Sequence, residues 1–468
     1  MVRLHLRWTS PIFALLCSAC VLAPDELKDE RDRLDRAGTR YAVDLGERTL
    51  PVLPEAPSYD DWLRRAFQVS GDLETAWQEW RAALAEVSAA SAWPNTNVEL
   101  DFEHVFSGES GSAWDRTSVG LGFDSAEMLE LPKKTRLRGR VAFEEARMAR
   151  ERFRKTKFAL ERRFTEIFVE WVSAREELAA AELALELLRT SSASLQRAAA
   201  ASPNALGFVR ARIEIAETED EIERKRSAVA RSAALVMSSA RVVEVLQPTQ
   251  TPSWPNLVAP TIDDATWIAL AARSNPMLAE FAHTVAGRTD ALELARAAWW
   301  PDVAPFAGFT GSLTRFVGAT LSIPTQTAKI RASIEAAAAR LDGVRASSSQ
   351  GAVDVRAGVT LDLIALREAE RALRFSNEVL QPMARELAAL ARAAYAGGTA
   401  GQIEWLDALR AENDVKTAQI AARATRETSL ARLQEWVGID IASIDASVLG
   451  DASQSNGLDS LAHRGGGL

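Results

Sequence analysis

The chain has 468 residues, 47% of them hydrophobic and 25% charged, with 55 Lys and Arg against 64 Asp and Glu for a formal net charge of −9. That length admits two or three globular domains, but no basic cluster is dense enough to mark a nucleic-acid surface. The only cysteines are Cys17 and Cys20, so a mature chain has no internal disulfide or Cys-based metal site, and no stretch of about 20 apolar residues beyond the N-terminus predicts a membrane-crossing helix.

Residues 1–19 read as an export signal. Arg3, His5 and Arg7 give the positive start, and Pro11 to Ala19 is apolar and small. Cys20 follows Ser18-Ala19 as in a bacterial lipoprotein cleavage site, with Cys17 where Leu is usual, and is the expected point of lipidation. An exported chain without an apolar span is either free in the periplasm or inserted as β-strands. Residues 20–60 are polar, charged and Pro-spotted, and are expected to be extended.

From residue 61 the chain uses one unit twice, over 61–240 and 265–440. In the first pass, Asp61 to Ala92 has helical spacing of Leu63, Ala66, Phe67, Leu73, Trp77, Trp80, Leu84 and Val87, and Trp93-Pro94 stops it. Two alternating stretches follow, strands at about 97–106 and 117–125. Val98, Leu100, Phe102, Val119, Leu121 and Phe123 take one face, and Glu99, Asp101, Glu103 and Asp124 take the other. Pro132 opens a helix over about 133–199, roughly 100 Å long at 1.5 Å per residue. Its positions from Leu160 through Phe164, Ile167, Trp171, Ala174, Leu178, Ala181, Leu185 and Leu188 alternate steps of four and three, a heptad seam. Ser202-Pro203-Asn204 turns the chain into a helix over Ala205–Ala240.

A connector at 241–264 leads to the second pass. Ala265–Ala297 is helical and ends at Trp299-Trp300-Pro301. Strands follow at about 302–310 and 315–323, with Val317, Ala319, Leu321 and Ile323 on one face. Pro305 and Phe306 blur the alternation of the incoming strand, and Pro lacks a ladder donor, so this strand is expected to be short or at an edge. A long helix spans about 325–395, its seam running through Val359, Leu363, Leu366, Leu373, Leu380, Ala384 and Leu387, with Glu370 and Asn377 interrupting it. Gly397-Gly398 turns the chain into a helix over Gln402–Val437. Residues 441–468 form a tail.

This layout resembles the TolC family of outer-membrane efflux channels over roughly residues 60–440. The motifs that carry the likeness are Asn275-Pro276-Met277-Leu278, the Ala297-Ala298-Trp299-Trp300-Pro301-Asp302 stretch, Leu321-Ser322-Ile323-Pro324, and the turn from Tyr395-Ala396-Gly397-Gly398-Thr399 to Glu404-Trp405-Leu406-Asp407-Ala408. The first half is most similar to the CzcC-like heavy-metal branch, through Leu129-Glu130-Leu131-Pro132-Lys133-Lys134, although the paired glycines of that branch are absent. The resemblance implies a mainly α fold with a small transmembrane β-barrel part. Three copies would make a homotrimer whose four strands each close a 12-stranded barrel in the outer membrane, continued as an α-barrel in the periplasm. It also implies a passive duct that works with a periplasmic adaptor (a membrane fusion protein) and an inner-membrane pump of the RND type.

Physical chemistry points the same way. Lipid does not tolerate open strand edges, which a closed barrel removes, and one-sided apolar alternation suits a wall between lipid and a wet lumen. Glu99, Asp101, Glu103 and Asp124 would then line the lumen, and Trp93, Trp114, Trp299 and Trp300 stand where interfacial belts need rings. By resemblance Tyr395, Glu404 and Asp407 form the periplasmic gate, Tyr395 by hydrogen bonding and the two acids by constricting the aperture. Ala400 stands where the family has Arg. By resemblance too, the turns at Ser202, Asn204, Gly397 and Gly398 meet the adaptor or pump. The four His residues have no ligand spacing, and Gly397 to Gly401 lacks the Lys-Ser/Thr of a phosphate loop, so no catalytic site, metal site or cofactor is expected. A periplasmic coiled-coil scaffold or adaptor is the other class of reading, but it would need a β-domain with many more strands. Substrate stays open between metal ions and drugs or other solutes.

Overall fold

The computed structural model describes residues 22–92, 98–106, 112–123, 130–199, 205–242, 252–312 and 314–444. Cys20, Asp124, Ser202 and Asn204 lie outside these. The contacts divide the chain into two compact units, each built from three segments. The first comprises Met1–Ala42, Thr75–Phe153 and Met277–Gly351, and the second Val43–Glu74, Arg154–Pro276 and Ala352–Leu468.

The first unit holds the sheet and an N-terminal helix, α1 (Leu27–Gly38). The expectation of an extended segment over 20–60 therefore fails at α1. The helix buries Leu27, Glu30 and Leu34 on one stripe, and the charge of Glu30 masks that stripe in the sequence. Arg33 and Arg150 hold the Glu30 carboxylate at 3.0 and 2.8 Å. Tyr41 packs against Trp77 and Phe153, with ring centroids 6.2 and 6.3 Å apart. A Cβ at Gly38 would lie 2.4 Å from Trp77 Nε1, so only glycine lets α1 approach this closely.

In the second unit, α2 (Tyr59–Val69) starts at Ser58, which forms a capping box with Asp61. The single helix expected from Asp61 to Ala92 is two, because Ser70 is extended and its hydroxyl accepts from Leu73 N at 3.3 Å. A new cap, with glycine after it, starts α3 (Gly71–Ala90). The break at Asn275 between α6 (Asp264–Ser274) and α7 (Pro276–Ala297) follows from Pro276, which keeps the preceding residue out of the helical region.

The long helix α4 (Pro132–Ala199) is followed by α5 (Ala205–Ser239). The α4 seam is buried as expected at Phe164, Trp171, Leu178, Leu185 and Leu188. In the second unit, Phe164, Phe168 and Trp171 join Tyr59, Trp62, Ala66 and Val236 in one core, and Tyr59 shares a 2.7 Å hydrogen bond with Thr165.

The other long helix runs as α8 (Thr327–Phe375), a π-turn over Ser376–Leu380 and α9 (Gln381–Ala396). Val359, Leu363 and Leu366 are buried as the seam predicts, but Ala369 and Ser376 continue it. Glu370 and Asn377, expected within the seam, lie off it, Asn377 exposed and Glu370 half-buried. Leu387 is also exposed. The departure begins at Ala369, ahead of the π-turn; the extra residue of the π-turn then brings Ala384 back to the buried side, where the seam predicts it. The last helix, α10 (Gln402–Val437), ends at Gly438, whose φ of 70° is the left-handed cap geometry suited to glycine.

Four antiparallel strands form one sheet in chain order: β1 (Val98–His104), β2 (Thr117–Phe123), β3 (Asp302–Thr310) and β4 (Thr314–Ser322). Both hairpins sit within a residue or two of their expected bounds. The strand with Pro305 is neither short nor at an edge; it is nine residues long and lies between β2 and β4. Its pairing with β2 ends at Phe306, so Pro305 sits where that side of the ladder has already stopped.

Candidate functional site

The register sorts the sheet into two chemically distinct faces. Leu100 pairs with Leu121, Phe102 with Val119, and Val98 with Phe123. Leu121 then pairs with Ala307, and Ala307 with Val317. Since paired residues share a face, one apolar surface runs across all four strands. It stays open to the surroundings: Leu100 is 69%, Phe102 71% and Val317 88% exposed. Arg315 is its cationic member, next to the tip where it pairs with Phe309.

The opposite face carries Glu99, Asp101 and Glu103, paired with Gly122, Gly120 and Ser118. All three acids are exposed. Two aromatic side chains share this acidic face. Phe306 pairs with Gly318 and Phe316 with Gly308. Added Cβ atoms at Gly308 and Gly318 would meet these rings at 2.3 and 2.5 Å, so the glycines are the floor on which the rings lie. The blurred alternation at Phe306 has this cause, a ring turned to the polar side above glycine.

Asp115 ties the two hairpin tips together. One carboxylate oxygen accepts from Ser112 N and Oγ at 3.1 and 2.8 Å. The other accepts from Ser312 N and Oγ at 3.2 and 2.5 Å. These bonds, those from Ser312 first, lower its pKa to about 2. Trp114 packs on Phe309 with centroids 5.9 Å apart and is itself exposed, as are Trp299 and Trp300. At the other end of the sheet, Lys134 Nζ donates to Asp302 Oδ1 at 2.8 Å and to Trp300 O at 2.9 Å, fastening the start of α4 to the start of β3.

In the second unit the turn between α9 and α10 closes by helix-end chemistry. Gly397 N donates to Ala393 O and Thr399 N to Ala394 O, both at 2.9 Å, and Gly398 takes a φ of +71°. Glu404 faces back along its helix and accepts from Gly401 N, completing the start of α10. Trp405 and Leu406 are buried against Leu188, and Tyr395 stacks on Trp405 with centroids 5.7 Å apart and planes 15° apart. Asp407 is exposed but not free, because Arg410 Nη1 reaches it at 3.2 Å. The same guanidinium forks onto both oxygens of Glu214 on α5, with Nε to Oε1 at 2.9 Å. Hydrogen bonding to Glu214 raises the Arg410 pKa further.

Known structures share this architecture. An outer-membrane channel of Neisseria gonorrhoeae, MtrE, solved in its open state, matches with a TM-score of 0.67 at 15% identity, covering 84% of this chain and 94% of that one. A membrane protein from Pseudomonas aeruginosa gives 0.67 at 18% identity, with 87% and 95% covered. The outer membrane protein VceC of Vibrio cholerae gives 0.63 at 14%, with 81% and 96% covered. The chain has the fold of these three membrane proteins. No family model and no curated protein matches the sequence.

Within that fold, Glu99, Asp101 and Glu103 share one face, while Tyr395, Glu404 and Asp407 gather at one turn. Three contributors escaped the sequence reading. Phe306 and Phe316 could have been found from the glycines opposite them. Arg410 stands three residues after Asp407, a helical ion-pair spacing, but its second partner, Glu214, is 196 positions away. Among the described residues no group of three or more His, Cys, Asp or Glu could hold a metal ion, and no helix is long and apolar enough to cross a membrane.

Proposed function

We propose that this chain is one subunit of a homotrimeric outer-membrane channel, the passive exit duct of a tripartite efflux system. The observation that carries this is the two-faced sheet. An apolar surface exposed across four strands, backed by an acidic and glycine-rich face, suits a wall with lipid on one side and water on the other. β1 and β4 end the strand order, and lipid cannot hydrogen-bond such edges. Pairing of β1 with β4 of the next copy, three times over, gives a 12-stranded barrel without edges. The similar fold of known outer-membrane channels supports this assignment.

The exposed apolar residues Leu361, Ile364, Met383 and Leu390 on α8 and α9 suit packing between subunits in the helical tunnel. The turn at Tyr395, Glu404 and Asp407 is the proposed periplasmic gate, with Arg410 as its latch between α5 and α10. A periplasmic adaptor would dock near Ser202, Asn204, Gly397 and Gly398, and an RND-type pump would supply energy. Cys20 is the proposed lipid anchor. An affiliation with the CzcC-like branch is proposed from the stretch that ends at Lys134, a residue that also has a structural task at Asp302.

Membrane fractionation and planar-bilayer recording test the central reading. Heat-sensitive trimers in the outer membrane, conducting with a preference for cations, are expected. A soluble chain that forms no pores overturns it.

A further inference from the structure

The polar face of the sheet is more than a row of acids. Glu99 and Asp101 on β1 form one wall. Next to them across the sheet stand Gly122 and Gly120, which put no side chain in the way. Beyond Gly122 comes Phe306 on β3, two strand spacings, or about 10 Å, from Glu99. Phe316 on β4 completes the far wall, its ring centroid 6.3 Å from that of Phe306 at an interplanar angle of 57°. These six residues line one concavity of about 590 Å³. The rings remain accessible, 39% and 40% exposed.

Carboxylates alone attract any cation. A small metal ion keeps its water unless several ligands converge on it, and the acids and rings here face each other across a gap instead. A weakly hydrated ammonium with methyl or alkyl groups matches both walls. Its charge is met by Glu99 and Asp101, and its apolar surface and residual positive charge are met by the ring faces. The glycine floor leaves room for its bulk.

We propose that this groove is a binding site for organic cations of the alkyl- or quaternary-ammonium class, a way-station for such solutes on the polar side of the sheet. The placement of the site in a lumen rests on the channel reading; the binding itself does not.

Calorimetric titration of the purified full-length protein in detergent tests the site, with choline and its uncharged isostere 3,3-dimethylbutan-1-ol as probes. Choline is expected to bind at least about tenfold more tightly than the isostere. The double change Phe306→Leu and Phe316→Leu keeps bulk above the glycines while removing the rings, and is expected to weaken choline about five- to tenfold. Asp101→Asn is expected to weaken it comparably, and Phe316→Tyr to retain it. Equal binding of choline and its isostere on the unaltered protein, which needs no variant to fold, overturns the proposal. So does a Leu double variant that retains its trimer and binds choline as before. Conductance is measured in parallel. A conducting protein that fails to bind choline removes the site and leaves the duct, whereas a protein that binds but never conducts removes the duct and leaves the site.

Discussion

At the scale of single residues, Arg410 carries the most consequence. Its guanidinium joins Glu214 on α5 to Asp407 on α10, and the fork geometry suits a carboxylate better than lysine would. The bridge is largely exposed, so its contribution to folding is about 1 kcal/mol at most. A change to Arg410→Ala is therefore expected to leave the trimer intact while raising the open fraction in bilayer recordings; unaltered gating would remove the latch. Glu404 and Asp407 are the acids in the first two turns of α10. Neutralising both is expected to lower cation preference, read from reversal potentials in a salt gradient. Asp115 makes a separate prediction about pH. Its carboxyl is held at about 2, below the ordinary 3.8. A depressed carboxyl contributes fully above its unfolded value and loses that contribution as pH falls through the folded one. The clasp on Ser112 and Ser312 should persist at pH 3, and carboxyl-labelled NMR of Asp115 would show ordinary titration near 3.8 if the clasp were absent.

Among the elements, α1 tests how a charged residue can build a core. Glu30 is 1% exposed and meets two arginines. Glu30→Ala removes charge-assisted bonds to two arginines that stay partly exposed, Arg150 keeping Glu151; such bonds contribute about 1.5–3 kcal/mol each, so the variant is expected to lower the thermal midpoint of the first unit, measured by calorimetry, with detachment of α1 read from proteolysis near Gly38. A shift no larger than that of Arg33→Ala would show the carboxylate to be dispensable. The same residue shows where sequence reading stops. Long periodic elements were legible because repetition averages over single exceptions: the α4 seam, both hairpins and the Gln402–Val437 helix stand where spacing put them. Features set by one residue and a distant partner were not. Ser70 caps a helix inside what looks like a continuous apolar period, Ala369 rather than Glu370 carries on the buried seam of α8, and Glu30 hides a buried stripe. Tyr395, Glu404 and Asp407 stand out through a motif, but Arg410 does not, because its meaning depends on Glu214.

For the whole molecule, the decisive property is the difference between the two sides of one sheet. Val317 and Thr320 lie on the same strand and are both exposed in the isolated chain, so ordinary solution chemistry treats a charge at either position alike. A membrane does not. Val317 belongs to the apolar face, where a charge near mid-bilayer costs about 2–4 kcal/mol for Arg or Lys and less for Asp, and three subunits would pay it together. Thr320 shares the face of Glu99 and Asp101, where another charge stays in water. Val317→Lys is therefore expected to abolish outer-membrane trimers, and Thr320→Lys to preserve them while reducing cation preference by offsetting the acids. Fractionation followed by unheated gel electrophoresis reads the first effect, and reversal potential the second. If both variants assembled equally well, the apolar face would not meet lipid, and the barrel would lose its physical basis even with every strand in its present register.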